Sequence, residues 1–431
     1  MLSFVFAVVV ASSPVEQQIH QRRLEQIAEL TRIIGLSGRE PELLFRMGDL
    51  WLEESRALLL EGDERRSAAA TQSAISFLAE VAQHSPSDAR ADETLYLLGK
   101  ALLEVNDDRR AMIAFHRLID RHAGSRFVAD AHFALGEHLF SRSSGRRDWL
   151  TRALREYAAA SGPDALYKQG WCLLNLADFD GAMQRFREVA SLGGVRGADA
   201  ERDFVRAFEK GGGKFVEFNP PGARRRALTE ALARLYRDDG FDGEAALTLR
   251  ALIQEQPRAP EALGLQQQLI EVLLRMGRKP LVVAQVQRLV VMASEIEGGD
   301  VSGAEPMLAK LATSWHAECR KTKEDQCLAN PSAIYDAYLA LFPAGPRAYE
   351  LRFFHAELLF EVGAFARAAA AYRGVVDRDV ECRNTKRCEA GKFLEPAAWG
   401  EIQARDALAL APQQGELSGA PVEYFVSRES Q

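Results

Sequence analysis

The chain has 431 residues, with 54 basic and 61 acidic side chains and a formal charge of −7. Both signs are interspersed, which solvates a surface but builds no polybasic field, so nucleic acid is excluded as an expected partner. Ala, Leu, Arg and Glu dominate and prolines number only 16, so the composition predicts an all-α fold, built as two or three compact domains or as one elongated array.

Residues 1–11 (MLSFVFAVVVA) form a short apolar run ending in small residues, and Val9 and Ala11 suit cleavage before Ser12. The run reads as a signal peptide, with a buried N-terminal segment as the alternative. It is too short to anchor in a bilayer, and no cysteine follows that could carry a lipid. In residues 12–37, Ser13 and Glu16 spell a capping box with Pro14 at the first helical position, and Ile19, Leu24, Ile27, Leu30 and Ile34 form an apolar stripe. This segment is expected to be a capping helix.

Over residues 38–195 a two-helix pattern recurs about every 34 residues. Its clearest copy sets Leu95, Leu98, Gly99 and Leu102 on a first helix and Ala111 and Phe115 on a second. Small residues let two antiparallel helices approach, and the large ones fill the seam between them. A second strong copy has Leu166, Gly170, Leu173, Ala182 and Phe186, with a turn at 177–180. Between them Leu135, Gly136, Leu139, Ala153 and Tyr157 repeat the pattern around extra residues at 141–145, which are expected to sit in the turn. An earlier copy has Leu44, Met47, Gly48 and Trp51, a lengthened connection at 61–68, then Ala74, Leu78 and Pro86.

Residues 196–222 lack the pattern and are expected to be a linker. Within them Gly211, Gly212, Gly213 and Lys214 superficially suggest a phosphate loop, but the spacing is wrong and no Ser or Thr follows the lysine, so a flexible connection is expected. Arg224, Arg225 and Arg226 at a helix start read as a solvated face, with a contact to phosphate or an acidic partner as the other reading. Residues 223–296 carry degenerate copies: Leu232, Ala233, Tyr236, Gly240, Ala245 and Leu249, then Leu269, Leu273, Gly277, Val282 and Val286.

Residues 297–330 read as an insertion holding Cys319 and Cys327. Cys382 and Cys388 form a second close pair, and in an oxidising compartment each pair closes a loop that stabilises by roughly 2–3 kcal/mol. Zinc and free thiols are the alternatives, the former disfavoured by the absence of CxxC spacing. Cys172 lies at a packing position. Residues 331–400 hold the last copy, with Ala356, Leu359, Gly363, Ala368, Tyr372 and Val375, and residues 401–431 are expected to be a helix end and a loose tail.

Together these residues resemble the tetratricopeptide-repeat family over about seven units. The resemblance implies a right-handed superhelix of antiparallel helix pairs, an α-solenoid, whose first helices line a groove. At the groove positions this sequence has Phe45, Asp49, Tyr96, Lys100, Phe133, Glu137, Phe140, Tyr167, Trp171, Phe353, Glu357 and Phe360. They suggest an apolar groove with acidic edges, suited to a peptide carrying Lys or Arg. The same rings also suit a half-buried packing role, since a groove and a packed seam can share residues.

The C-terminal stretch from Ala348 to Val376, followed by EPAAWGEIQARDAL, resembles tetratricopeptide-repeat proteins of the deltaproteobacterial cell envelope, including those tied to gliding motility. It implies a periplasmic scaffold whose partners are other envelope proteins, with no cofactor or small-molecule substrate. No nucleophile, metal or phosphate pattern stands up: His116 and His122, like His132 and His138, are six apart and fall on different helix faces. The expectation is a non-enzyme. The alternatives are a cell-wall enzyme of the lytic-transglycosylase type, for which a catalytic domain is missing, and a cytoplasmic adaptor.

Overall fold

Helix-forming sequence punctuated by short turns folds as a succession of helices. The computed structural model describes residues 14–322, 327–385 and 391–410; among them are nineteen α-helices and no strand. The predicted signal peptide and the C-terminal tail beyond Leu410 lie outside the described residues, as does Ser13 of the predicted capping box. The contacts divide the chain into two units, Met1–Leu228 and Thr229–Gln431.

The first unit holds α1 (Pro14–Ser37), α2 (Pro41–Leu60), α3 (Glu64–His84), α4 (Ala91–Glu104), α5 (Asp108–Arg121), α6 (Val128–Ser141), α7 (Arg147–Ala159), α8 (Pro163–Asn175), α9 (Phe179–Ser191) and α10 (Gly194–Lys210). α2 packs on α3, α4 on α5, α6 on α7 and α8 on α9, and each pair meets the next through its second helix. Short turns make these pairs antiparallel hairpins. α1 covers α2, where His20 and Arg23 reach Glu54, a carboxylate only 1 % exposed; the Arg23 Nη1 to Glu54 Oε2 distance is 2.9 Å.

The seam of each hairpin is set by one missing methyl. A Cβ on Gly99 would stand 2.5 Å from the Phe115 ring, one on Gly136 2.7 Å from Tyr157 and one on Gly170 2.6 Å from Phe186. The three rings are completely buried, each contributing roughly 2–3 kcal/mol of apolar burial. Three turns close by one device. Gly62, Asn106 and Ala177 adopt left-handed backbone (φ 81, 60 and 61°), and the following Asp63, Asp107 and Asp178 send their N–H back to Leu58, Leu102 and Leu173. Each aspartate then caps the second helix, accepting from Arg66 N, Arg110 N and Gly181 N.

Two expectations are corrected here. The connection at 61–68 is only a three-residue turn, because the extra sequence lengthens α2 and α3; buried Ser55 hydrogen-bonds Ser67 (2.9 Å) and Thr71 (2.7 Å) across them. The predicted linker at 196–222 holds most of α10, which buries Ala200, Phe204, Val205, Ala207 and Phe208 against α9 and α8. The glycine triplet ends that helix. Gly212 is left-handed (φ 72°), Gly213 N donates to Phe208 O at 3.0 Å, and a Cβ on Gly213 would lie 2.6 Å from the Phe208 ring. Phe218 then closes over Phe208, with ring centroids 5.1 Å apart. Of the extra residues at 141–145, Ser141 ends α6 and the others lie, as expected, in the α6–α7 turn, with Ser144 left-handed.

The unit boundary falls within α11 (Arg225–Asp238). The second unit continues with α12 (Asp242–Glu255), α13 (Glu261–Arg275), α14 (Lys279–Glu295), α15 (Ala304–Thr322), α16 (Ala329–Leu341), α17 (Ala348–Glu361), α18 (Phe365–Thr385) and α19 (Leu394–Leu410). α12 packs on α13, α13 on α14, α15 on α16, α17 on α18 and α18 on α19. The predicted insertion at 297–330 contains α15, whose Leu308, Leu311 and Trp315 are buried as α15 packs on α16, so this stretch is part of the helical array. Cys319 and Cys327 are paired, their Cα atoms 5.7 Å apart. Cys382 is buried, and its expected partner Cys388 lies outside the described residues.

Candidate protein-docking face

The residues expected to line a groove fall on first helices: α2, α4, α6 and α8 in the first unit and α17 in the second. In the first unit they are linked from helix to helix. Tyr96 on α4 stacks on Phe127, just before α6, with centroids 4.8 Å apart and planes 17° apart. Burial and the nearby Asp130 push the Tyr96 hydroxyl above its ordinary pKa. Phe133 on α6 meets Tyr157 at 5.7 Å, and Phe140 lies beneath Lys168 of α8, 5.5 Å from its ammonium. Tyr167 on α8 donates to Asp203 Oδ2 on α10 at 2.5 Å. Trp171 meets the Phe186 ring at 6.2 Å and lies 5.5 Å from the Arg206 guanidinium.

Phe45 does not join them. It is 1 % exposed, with the Arg90 guanidinium 3.7 Å above its ring, so it is a core residue with a cationic cover. The other rings named from α4, α6 and α8 are half-buried, and Lys100 is exposed beside Tyr96, 5.7 Å from that ring.

The acidic edge is also corrected. Asp49 is paired with Arg46 at 2.6 Å. Glu137 accepts the Tyr157 hydroxyl at 2.5 Å and the Lys168 ammonium at 3.0 Å. Glu357 on α17 accepts the Tyr372 hydroxyl at 2.5 Å. Where the large residue of the second helix is tyrosine, as at Tyr157 and Tyr372, the residue after the small position of the first helix is glutamate. Where it is phenylalanine, as at Phe115 and Phe186, that place holds Lys100 or Trp171. The glutamates therefore serve the seam: burial and the adjacent carboxylate raise the pKa of both tyrosines, so the hydroxyls stay protonated as donors.

On α17, Phe353 stacks on Phe393 at 4.3 Å with planes 9° apart, and Phe360 meets Phe365 at 5.4 Å. These are packing contacts within the second unit. Sequence reasoning missed the α10 contribution, Asp203 and Arg206, because the surrounding glycines concealed a helix. The signal was there in the spacing of Ala200, Phe204 and Phe208. Burial raises the Asp203 pKa against the lowering effect of Tyr167 and Arg206.

The histidine pairs hold no common ligand. His132 pairs with Glu156 at 2.8 Å, His138 stands 3.8 Å from Asp108, and among the described residues no cluster of three or more His, Cys, Asp or Glu is placed for a metal ion. Cys172 is buried, and burial pushes its thiol up to about 12, which keeps it protonated and unreactive at neutral pH. No described helix is long and apolar enough to cross a membrane.

Antiparallel hairpins stacked in series, with a small residue opposite a bulky one at the seam, define a helical-repeat protein of the α-solenoid class. The description that matches is tetratricopeptide repeat, over residues 93–125 and 164–192, which are the hairpins α4–α5 and α8–α9. Over those residues the chain carries tetratricopeptide repeats, which supports a protein-interaction scaffold. No curated protein matches the sequence. Solved structures that resemble it include a tetratricopeptide repeat protein from Parabacteroides merdae, 14 % identical over 83 % of this chain and 98 % of that one, TM-score 0.28. A Naa15/Naa10 complex bound to HypK is 12 % identical over 95 % and 70 %, TM-score 0.33. Yeast Tom70 is 13 % identical over 92 % and 72 %, TM-score 0.24.

Proposed function

We propose that the first-helix face of α4, α6 and α8, continued by α10, holds a segment of a partner protein, and that the chain is a non-catalytic scaffold of the periplasm serving an envelope-spanning complex such as a gliding apparatus. The docking face rests on one observation above the others: Tyr96, Phe133, Phe140, Tyr167 and Trp171 are half-exposed rings on successive first helices. Rings of this kind offer large contact area at little cost in rotamer entropy. Glu137 and Asp203 are already engaged by Lys168, Tyr157, Tyr167 and Arg206, so the face favours apolar or aromatic anchors over a Lys-rich peptide. The periplasmic part is supported by the apolar run at 1–11 and by the Cys319–Cys327 pair, which suits an oxidising compartment.

Site-specific photocrosslinking in the native cell tests the face. A crosslinker at Lys100 or Glu104, both exposed on α4, should trap the same envelope partner, while one at Arg117 on α5 or Arg155 on α7 should not. Adducts from the second helices alone would discard the face. With the partner in hand, replacing Phe140 and Trp171 together by Ala should weaken Kd by at least about tenfold. Mass spectrometry of the mature N-terminus, with thiol trapping of Cys319, decides the compartment.

A further inference from the structure

Three aromatic side chains from three consecutive helices of the second unit meet in its interior. Tyr335 of α16 lies between His316 of α15 and His355 of α17. The His316 ring stands edge-on to it at 5.9 Å, with Nδ1 3.2 Å from the Tyr335 hydroxyl, and the His355 ring stacks on it at 5.4 Å. The two imidazoles are 6 % and 4 % exposed.

Each imidazole faces one carboxylate, and an arginine already neutralises that carboxylate. His316 Nε2 is 3.5 Å from Glu361 Oε2, which Arg320 approaches at 3.3 Å; Glu357 is a more remote negative charge. His355 Nε2 is 3.7 Å from Asp336 Oδ1 and 3.3 Å from the Ser332 hydroxyl, while Arg367 of α18 holds Asp336 at 2.9 Å. Arg347 and Glu350 act on Tyr335 with opposite signs.

A proton on either ring would thus add a buried cation whose counter-ion is shared, and protonation of both would set two cations on either side of Tyr335. We propose that His316, Tyr335 and His355 form an acid-released latch, joining α15, α16 and α17 while the imidazoles are neutral and loosening them when the imidazoles take up protons.

Burial is the main cause holding both histidines below their ordinary pKa, with His355 near 4. The opened segment returns to about 6.5, so it binds more protons than the packed one below that pH. Packing is therefore complete above pH 6.5 and is lost progressively toward pH 4.

Hydrogen exchange of the full chain, corrected for the intrinsic pH dependence of exchange, measures this locally. Between pH 6.5 and 4.5 protection of α15–α17 should fall roughly fortyfold for His355 alone, and that of α4–α9 much less. His316→Gln with His355→Gln should remove most of the fall. Should that double variant misfold, Arg367→Ala gives an independent answer. It leaves Asp336 free to accept the His355 cation, so the fall should shrink while neutral-pH protection stays close to wild type. An equal fall in every variant, or one spread evenly over α4–α9, would overturn the latch.

Discussion

The two units solve the same packing problem with different residues. In the first unit the seam of a hairpin is glycine against a ring, as at Gly99 and Phe115 or Gly170 and Phe186, and the turn is a left-handed residue followed by a capping aspartate. In the second unit the small residue is alanine at Ala233 and Ala356, and buried polar groups tie helices together as they do in the first. Buried Gln266 donates to Gln285 O at 2.8 Å, and Tyr349 donates to Asp379 at 2.7 Å. The turns there use Gly240, Gly277 and Gly363, followed by Phe241, Arg278 and Ala364. Close helix crossing therefore does not require glycine. At Gly99, Gly136 and Gly170 the ring lies so near the first helix that a Cβ there would overlap it.

Adding one methyl gives the sharpest test of that difference. In Gly170→Ala the new Cβ meets a fully buried ring at 2.6 Å, and the ring has no solvent to move into, so unfolding in urea should show a loss of about 2–3 kcal/mol. Gly264→Ala in α13 meets nothing within 4 Å and should instead gain about 0.5–1 kcal/mol from the better helix former. Equal effects at the two sites would erase the distinction between the units.

The same contrast explains what could be read in the sequence. The all-α fold and the hairpins over 92–190 were legible because a small residue four positions before a bulky one is a pattern in residue types. α10 and α15 were not. Glycines flank α10 and cysteines close α15, and both signals, taken as marks of irregular chain, here mark helix ends. At the candidate site the rings on α4, α6 and α8 were legible from position alone. Whether a carboxylate faces solvent or a tyrosine from the next helix depends on a partner some fifteen or twenty residues away, as with Glu357 and Tyr372 or Glu137 and Tyr157.

The caps provide a smaller effect of opposite sign in the two units. Asp178→Ala removes the side chain that accepts from Gly181 N and should cost about 1 kcal/mol. Arg278 occupies the equivalent place before α14 and makes no side-chain cap. Arg278→Asp should therefore stabilise the second unit, by up to about 1 kcal/mol, in part through its charge at the helix N-terminus. Thermal unfolding at low salt resolves both changes, and no gain from the second would mean that its turn is already satisfied by other means.

The smallest change concerns the residue just before the cap. Ala177 holds φ at 61°, a conformation that costs a residue with a Cβ roughly 1–2 kcal/mol. Glycine removes that cost but gains freedom in the unfolded chain worth about 0.4–1 kcal/mol, so Ala177→Gly should stabilise by only a few tenths to about 1 kcal/mol. The reverse exchange in the second unit, Gly277→Ala at φ 68°, takes on that strain and gains only the entropy, so it should destabilise by a similar amount. Both turns return an N–H to the carbonyl five residues earlier, Asp178 to Leu173 and Arg278 to Leu273. If exchange of those two amides responds in opposite directions to the two substitutions, the left-handed residue sets the turn in both units, and the units differ in seam and cap alone.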